Sequence, residues 1–319
     1  MRLRNNGLKK CIILVLALIL SASPAGVFAA GSQNVDSSVE KLRDAMVARQ
    51  DSVQMYFYSW KDFKKDDAIR DELFYAACSE EHADSYNTGA YLKSNVKGCD
   101  VSTQQIASDP PRWKVTFSNF TYRTTLEQEA EFDAKLQEVM AGLDIENESE
   151  YGKCRAIYDY ITSHVTYDHD AYQAHLQGDD SGYDLAYTAY SALIGGRAVC
   201  QGYATLFYAM CRYAGLNVLM VDGIAQGQDG WGEHAWDMVQ IDGYWYQVDP
   251  TWDSESSVMG YKYFLGGTET FKKHRLNLDY TQQSFTSTHI MPVNSYKNSV
   301  NENPLVRLLK LIREILLGD

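Results

Sequence analysis

The sequence predicts an α+β fold, and three observations carry that prediction. Apolar residues recur at helical spacing in long stretches at 126–143, 151–165 and 200–214. Shorter runs with the two-residue alternation of strands lie at 113–117, 120–123, 217–224, 234–241 and 244–250. Between the last two stands Asp242-Gly243, the dipeptide that most strongly signals a two-residue hairpin.

Taken in order, the chain opens with Arg2, Arg4, Lys9 and Lys10, an apolar run from Cys11 to Leu20, and small residues through Ala29-Ala30. A basic start, a short apolar run and a small-residue site describe a secretory signal peptide, 1–29, cut after Ala29. A membrane anchor is the alternative, but spanning needs about 20 apolar residues and Ser21 to Pro24 end the run sooner. The expected location is therefore secreted or at the cell surface, with no transmembrane span after cleavage.

Residues 30–125 read as a small α+β N-terminal region. It has helices near 35–50 and 66–78, an aromatic strand over 55–60 and, after a polar loop, the strands at 113–117 and 120–123. Residues 126–265 read as the catalytic domain. The helix at 126–143 shows one face of Phe132, Leu136, Val139, Met140 and Leu143, and the next one a face of Ala156, Ile157, Tyr160, Ile161 and His164. A polar loop through Tyr183 and a short helix at 187–194 precede Gly195-Gly196. Cys200 begins the third long helix, which Gly215 stops in the place of a left-handed cap. Residues 266–302 read as irregular. Residues 303–319 form an amphipathic helix that docks on the body or touches a membrane surface or partner.

Composition narrows the function. Net charge is −13, and losing the four basic residues of the signal takes it to −17. Nucleic acid needs a basic face, so it is not an expected partner. Cys78, Cys99, Cys154, Cys200 and Cys211 remain, an odd number that points to one free thiol. Cys78 and Cys99 are placed to close a loop as a disulfide, while Cys154 and Cys211 suit pairing or core packing alike. No C-x-x-C pair occurs and the loop residues His164, Asp168, His169, Asp170 and His175 lack ligand spacing, so neither a metal nor a cofactor is called for.

Cys200, His234 and Asp249 carry the chemistry. A thiol becomes a nucleophile when a base makes it thiolate, and the base works best when a third group orients it. With Asp242-Gly243 as the hairpin loop, Trp236 faces Asp249 across the strands. His234 then shares a face with Trp236, Met238, Trp245, Gln247 and Asp249, diagonal to Asp249; a one-residue slip would separate them. The positive end of a helix lowers the pKa of a thiol placed there, and the Cys200 backbone N–H is the natural first oxyanion donor.

Arg197-Ala198-Val199-Cys200-Gln201-Gly202-Tyr203-Ala204, Gly232-Glu233-His234-Ala235-Trp236 and Tyr246-Gln247-Val248-Asp249-Pro250-Thr251-Trp252 resemble the transglutaminase-like superfamily, in its bacterial secreted branch. The resemblance extends over about 151–265. It implies a papain-like core with the cysteine helix packed on an antiparallel sheet bearing His and Asp, and the roles of nucleophile, base and orienter for Cys200, His234 and Asp249. The vertebrate crosslinking members place an aromatic residue where this chain has Gln201, and a tryptophan near the oxyanion where it has Tyr167. Tyr167 is thus the oxyanion candidate, with Gln201, Trp236 and Trp252 as substrate-cleft candidates. The expected function is an exported cysteine enzyme acting on protein or peptide amide bonds, cell-wall peptides among them, through a thioester acyl-enzyme: a peptidase, amidase or acyltransferase. The alternative is a binding module that keeps the fold with an idle site.

Overall fold

A computed structural model describes residues 32–58, 67–80, 83–227, 230–255 and 260–296. The signal peptide 1–29 and the C-terminal helix 303–319 lie outside the described residues. Among the described residues no helix is long and apolar enough to cross a membrane.

The N-terminal region pairs α1 (Ser32–Val47), α2 (Asp67–Ala77) and α3 (Ala90–Asn95) with a sheet ordered β1-β3-β2, from β1 (Ser52–Tyr58), β2 (Val96–Ser108) and β3 (Pro111–Tyr122). β1 alternates buried and exposed residues throughout. Its inward Val53, Met55 and Phe57 join Val115 and Phe117 of β3 and Leu42 and Met46 of α1 in one core cluster. Two expectations change here. The strands at 113–117 and 120–123 are one strand, continuous through Asn119, which takes φ +52. The presumed loop after Cys78 holds α3 and β2. Cys78 is buried and Cys99 half-buried, both against this same core.

The second unit is built from α4 (Leu126–Leu143), α5 (Glu150–His164) and α8 (Cys200–Tyr213), packed on a four-stranded sheet. The sheet runs β8-β7-β6-β9, from β6 (Val218–Gly227), β7 (Gly230–Ile241), β8 (Tyr244–Val248) and β9 (His274–Leu276), all antiparallel. Thr125 and Gln128 cap α4 reciprocally. α8 is buried from Gln201 to Cys211 because helices cover it on one side and the sheet on the other. The α5 face that packs is Cys154, Ile157, Tyr158 and Ile161. Its neighbours Ala156 and Tyr160 are half-buried and His164 is exposed, so the packed stripe is rotated from the expected one. Cys154 and Cys211 are free thiols in this core.

The polar loop to Tyr183 contains α6 (His169–Leu176), capped by Asp168, which accepts from the Ala171 N–H at 3.1 Å. A turn of helix, α7 (Tyr183–Ala186), follows. The expected helix at 187–194 runs over 189–195, with its last five residues, Ser191–Gly195, in a wide turn. The short parallel strands β4 (Thr166–Tyr167) and β5 (Arg197–Ala198) flank this region. Beyond α9 (Pro250–Ser254), the segment expected to be irregular carries β9, a 3-10 turn and α10 (Gln283–Thr286). It covers the sheet face opposite α8, where Tyr263 and Phe271 pack on Val221, Trp236, Met238 and Trp245.

Candidate active site

Cys200 is half-buried at the first position of α8, and the turn before it is shaped to present it. Gly196 adopts φ +63, a region glycine enters without a Cβ penalty. Arg197 braces the following strand through Asp168 at 2.9 Å and Asp170 at 3.0 Å. Gly202 lies so close to the preceding turn that a Cβ would sit 2.7 Å from the Ala198 Cβ and 2.8 Å from the Ala186 carbonyl oxygen. No side chain caps α8 at Val199, which leaves its first amides to a ligand.

The hairpin register is the expected one: Ile241 faces Tyr244 and Asp237 faces Val248. Alternation then puts His234 and Asp249 on one face, and the His234 Nε2 lies 2.8 Å from the Asp249 Oδ2. A carboxylate only accepts, so Nε2 carries the proton and Nδ1 is left for Cys200. This face is the one turned away from α8. The thiol reaches the imidazole because the start of α8 abuts β7 at Ala235, whose backbone N–H also hydrogen-bonds the sulfur.

Electrostatics follow from burial and from these partners. Burial pushes the Cys200 thiol up, but the hydrogen bond and charge of His234 outweigh it, and the net shift is downward. For His234 burial opposes the charge, while Asp249 and the Cys200 thiolate favour it and raise the imidazolium to about 10. Asp249, fully buried, is driven up by desolvation and more than returned by His234 and His274; it stays well below the ordinary carboxylate range. All three shifts run in the direction that favours a thiolate–imidazolium pair beside a carboxylate.

The other expected site residues separate. β4 pairs with β5 so that Tyr167 stands opposite Ala198, beside the nucleophile. Burial, then the Cys200 charge, raises its hydroxyl pKa, so it keeps the proton an oxyanion donor needs. Trp252 is half-buried, its ring 5.7 Å from that of His234, and walls the site.

Gln201 and Trp236 are not cleft residues. The Gln201 amide is buried and donates to the Ser94 Oγ at 3.0 Å and the Met220 Sδ at 3.2 Å. At the second position of α8 its side chain turns towards the N-terminal region. Trp236 is fully buried and donates from Nε1 to the Gln247 Oε1 at 3.0 Å. Two residues along β7 from His234, it faces the same covered side and backs that ring at 5.8 Å.

The acidic and imidazole groups of the 164–175 loop take separate partners. His169 meets Glu255 at 3.0 Å, His175 meets Asp180 at 2.5 Å, and Asp168 and Asp170 hold Arg197.

Three further residues, none singled out in the sequence, stand at the site. Tyr183 and Tyr187 both feel the Cys200 charge after burial, which lifts Tyr187 to about 12. They come from α7 and its end, where the sequence reads as the end of a polar loop and the start of a short helix, with no sign that either ring faces Cys200. His274, on β9, donates from Nε2 to the same Asp249 Oδ2 at 2.9 Å. Ligand-type atoms of His234, Asp249 and His274 lie within 4.8 Å of one another. The two bonds to the shared oxygen require a proton on each imidazole nitrogen, which a metal bond would have to displace.

Residues 137–250 match the family model of the transglutaminase-like superfamily. This stretch of the chain is similar to transglutaminase-like domains. The superfamily includes cysteine peptidases and acyltransferases, and Cys200, His234 and Asp249 fall inside the matched residues, whereas His274 falls beyond them. Among curated proteins, kyphoscoliosis peptidase of Mus musculus is 35% identical over 127 residues, and that of Homo sapiens 34% over 127 residues. The alignments cover 37% of this chain and 18% of each relative, so the chain spans less than a fifth of their length. Among solved structures, a TGase shares 17% identity over 63% of this chain and 51% of its own, with a TM-score of 0.35. A putative cysteine protease from Cytophaga hutchinsonii shares 16% over 48% of this chain and 62% of its own, with a TM-score of 0.28.

Proposed function

We propose that this protein is an exported cysteine enzyme that cleaves protein or peptide amide bonds through a thioester on Cys200. The observation that carries the reading is the 2.8 Å bond from His234 to a fully buried Asp249, on an imidazole that also hydrogen-bonds the Cys200 sulfur. The Cys200 thiolate attacks the acyl carbon. The oxyanion is received by the Cys200 backbone N–H and the Tyr167 hydroxyl. The C–N bond breaks as the His234 imidazolium gives its proton to the leaving amine. Water then adds to the thioester, losing a proton to His234, and the C–S bond breaks to release the acid and restore the Cys200 thiolate beside the imidazolium. An amine in place of that water would make the same site an acyltransferase.

Hydrolysis is the reading we adopt because the aligned mouse and human relatives are named peptidases. Export rests on the basic, apolar and small-residue pattern of 1–29; the amino-terminal mass of the secreted protein, expected to begin at Ala30, checks it. Cell-wall peptides suit an exported enzyme, and the C-terminal helix is a candidate for contact with a membrane surface or a partner.

Two measurements test the activity. Cys200→Ala should abolish labelling by a thiol-directed probe at pH values below the free-thiol pKa of about 8.5; labelling of the mutant at the wild-type rate overturns the assignment. Incubation with a protein substrate and a labelled primary amine, read by mass, separates the outcomes. Shortened chains mean peptidase, incorporated label means acyltransferase, and a gain of about one dalton at glutamine means deamidase, since oxygen replaces NH. No product of any kind, with Cys200 titrating as an ordinary thiol, would favour the idle binding module.

A further inference from the structure

The structure assigns His274 a positioning role in the active site: it holds Asp249 in the orientation and charge state that His234 requires. The inference rests on the reading of Cys200, His234 and Asp249 given above and extends it by one residue.

Asp249 lies at the end of β8, where the chain turns into α9, and no part of it reaches solvent. A buried carboxylate persists as an anion only when donors satisfy it. Its Oδ1 accepts from the Trp252 N–H at 3.3 Å. Its Oδ2 accepts from His234 at 2.8 Å and from His274 at 2.9 Å. With His234 alone, one long bond and one short bond would hold the group, and the carboxylate could turn about its Cβ–Cγ bond. A second imidazole on the same oxygen removes that freedom.

The surroundings fix what His274 contributes. Its side chain is fully buried, with the rings of Trp252 at 4.4 Å, Phe271 at 4.7 Å and Trp236 at 5.0 Å. Its Nδ1 is buried with no hydrogen-bond partner among the described residues. An imidazolium there would leave an N–H unsatisfied, whereas the neutral Nε2–H form leaves only a lone pair. Burial, the larger influence, and the charge of His234 also keep His274 uncharged, against the pull of Asp249. His274 therefore gives Asp249 a hydrogen bond without competing for the positive charge, which stays on His234. Among the described residues, the titratable groups facing this cluster are His234 of β7, Cys200 and Tyr203 of α8, Tyr158 of α5, Asp253 and Glu255 of α9 and the turn after it, and Tyr263. Asp237 of β7 adds its influence from the other face of the sheet.

The experiment measures the rate of iodoacetamide alkylation of Cys200 across the pH range in the full-length protein, with the modified cysteine identified by peptide mass. Three proteins are compared: wild type, His274→Met, which keeps bulk without a donor, and His274→Gln, which keeps a side-chain N–H. The acid limb of His274→Met should move up by about one pH unit, about tenfold slower alkylation at a fixed acidic pH, and His274→Gln should return towards wild type. Circular dichroism confirms the fold of each. A His274→Met limb that coincides with wild type overturns the inference, and so do equal shifts in the two variants, which would mean packing alone. Should His274→Met fail to fold, imidazole nitrogen NMR of the wild type decides: His274 must be the neutral Nε2–H tautomer, and any other form overturns the role. A wild-type Cys200 that reacts only as an ordinary thiol would instead remove the underlying reading, a different result from an unchanged variant.

Discussion

Asp249 controls the pH behaviour of the site, because its charge selects the charge of His234. The two shifts have opposite senses. The imidazolium, raised to about 10, contributes stability that is complete below its ordinary pKa of about 6.5 and is lost as pH rises through about 10. The depressed Asp249 contributes stability present above about 3.9 and lost as pH falls through its lower folded value. Denaturation midpoints followed against pH should therefore fall at both ends, and His234→Ala should flatten the alkaline side. Asp249→Asn keeps the shape but favours the wrong imidazole tautomer, and should slow Cys200 alkylation at acidic pH by at least about a hundredfold. Asp237 runs the other way. It is fully buried with neither oxygen hydrogen-bonded among the described residues, and burial, then Asp249, raises its pKa well above the usual value. The folded protein holds it protonated, and stability is lost from about pH 3.9 upward at about 1.4 kcal/mol per pH unit until it ionises. Asp237→Asn should remove that slope, and a wild-type slope in the variant would refute the assignment. At this scale the His234–Asp249 pairing was legible, since a two-residue loop fixes which side chains share a face. His274 was not: strand alternation says nothing about a third residue arriving from another segment.

Strands and turns explain which elements could be read. The hairpin at Asp242-Gly243 has φ +51 and +83, the paired positive values of a type I′ turn, so the dipeptide announced it. Gly243→Ala should cost about 1 kcal/mol in chemical denaturation through strain at the positive φ. β2 gave no such signal. Most of its residues are exposed and its sequence is polar, so no apolar alternation exists to detect; it is held by its ladder with β3. β9 is three residues long and depends on Gly223. A Cβ at Gly223 would lie 2.0 Å from the Arg275 carbonyl oxygen, so Gly223→Ala must push β9 off the sheet edge and carry His274 with it. Its expected signature is a shifted acid limb of Cys200 alkylation together with a loss of about 1–3 kcal/mol; a stability loss with no shift would mean that His274 stays in place.

The two halves of the molecule are joined through α8. Tyr208 donates to the Glu80 Oε2 at 2.7 Å, Arg212 to the Ala83 carbonyl at 2.8 Å, and Gln201 reaches Ser94. Asn95 and Arg49 of the N-terminal region bind Glu129 of α4 at 2.8 and 3.1 Å. These contacts are polar and mostly shielded, and they fasten the same helix whose first residue is Cys200, the proposed nucleophile. Tyr208→Phe would leave the Glu80 Oε2 without its donor, while Oε1 keeps the Ala90 N–H at 3.0 Å, and should cost about 1–3 kcal/mol. Loss of signal from Trp113 on one side and Trp245 on the other should remain coincident in thermal unfolding. The sequence placed a boundary at 125 but could not show this fastening, because pairs such as Glu80 and Tyr208 are far apart in the chain and neither belongs to a local pattern.

The seating of β9 on Gly223 also sets the smallest piece of this protein worth isolating. The matched stretch ends at residue 250, and a fragment trimmed to it would contain Cys200, His234 and Asp249 and look complete on paper. It would lack the segment that closes over Trp236 and delivers the second imidazole. Screens of such trimmed domains would test the proposed chemistry without His274.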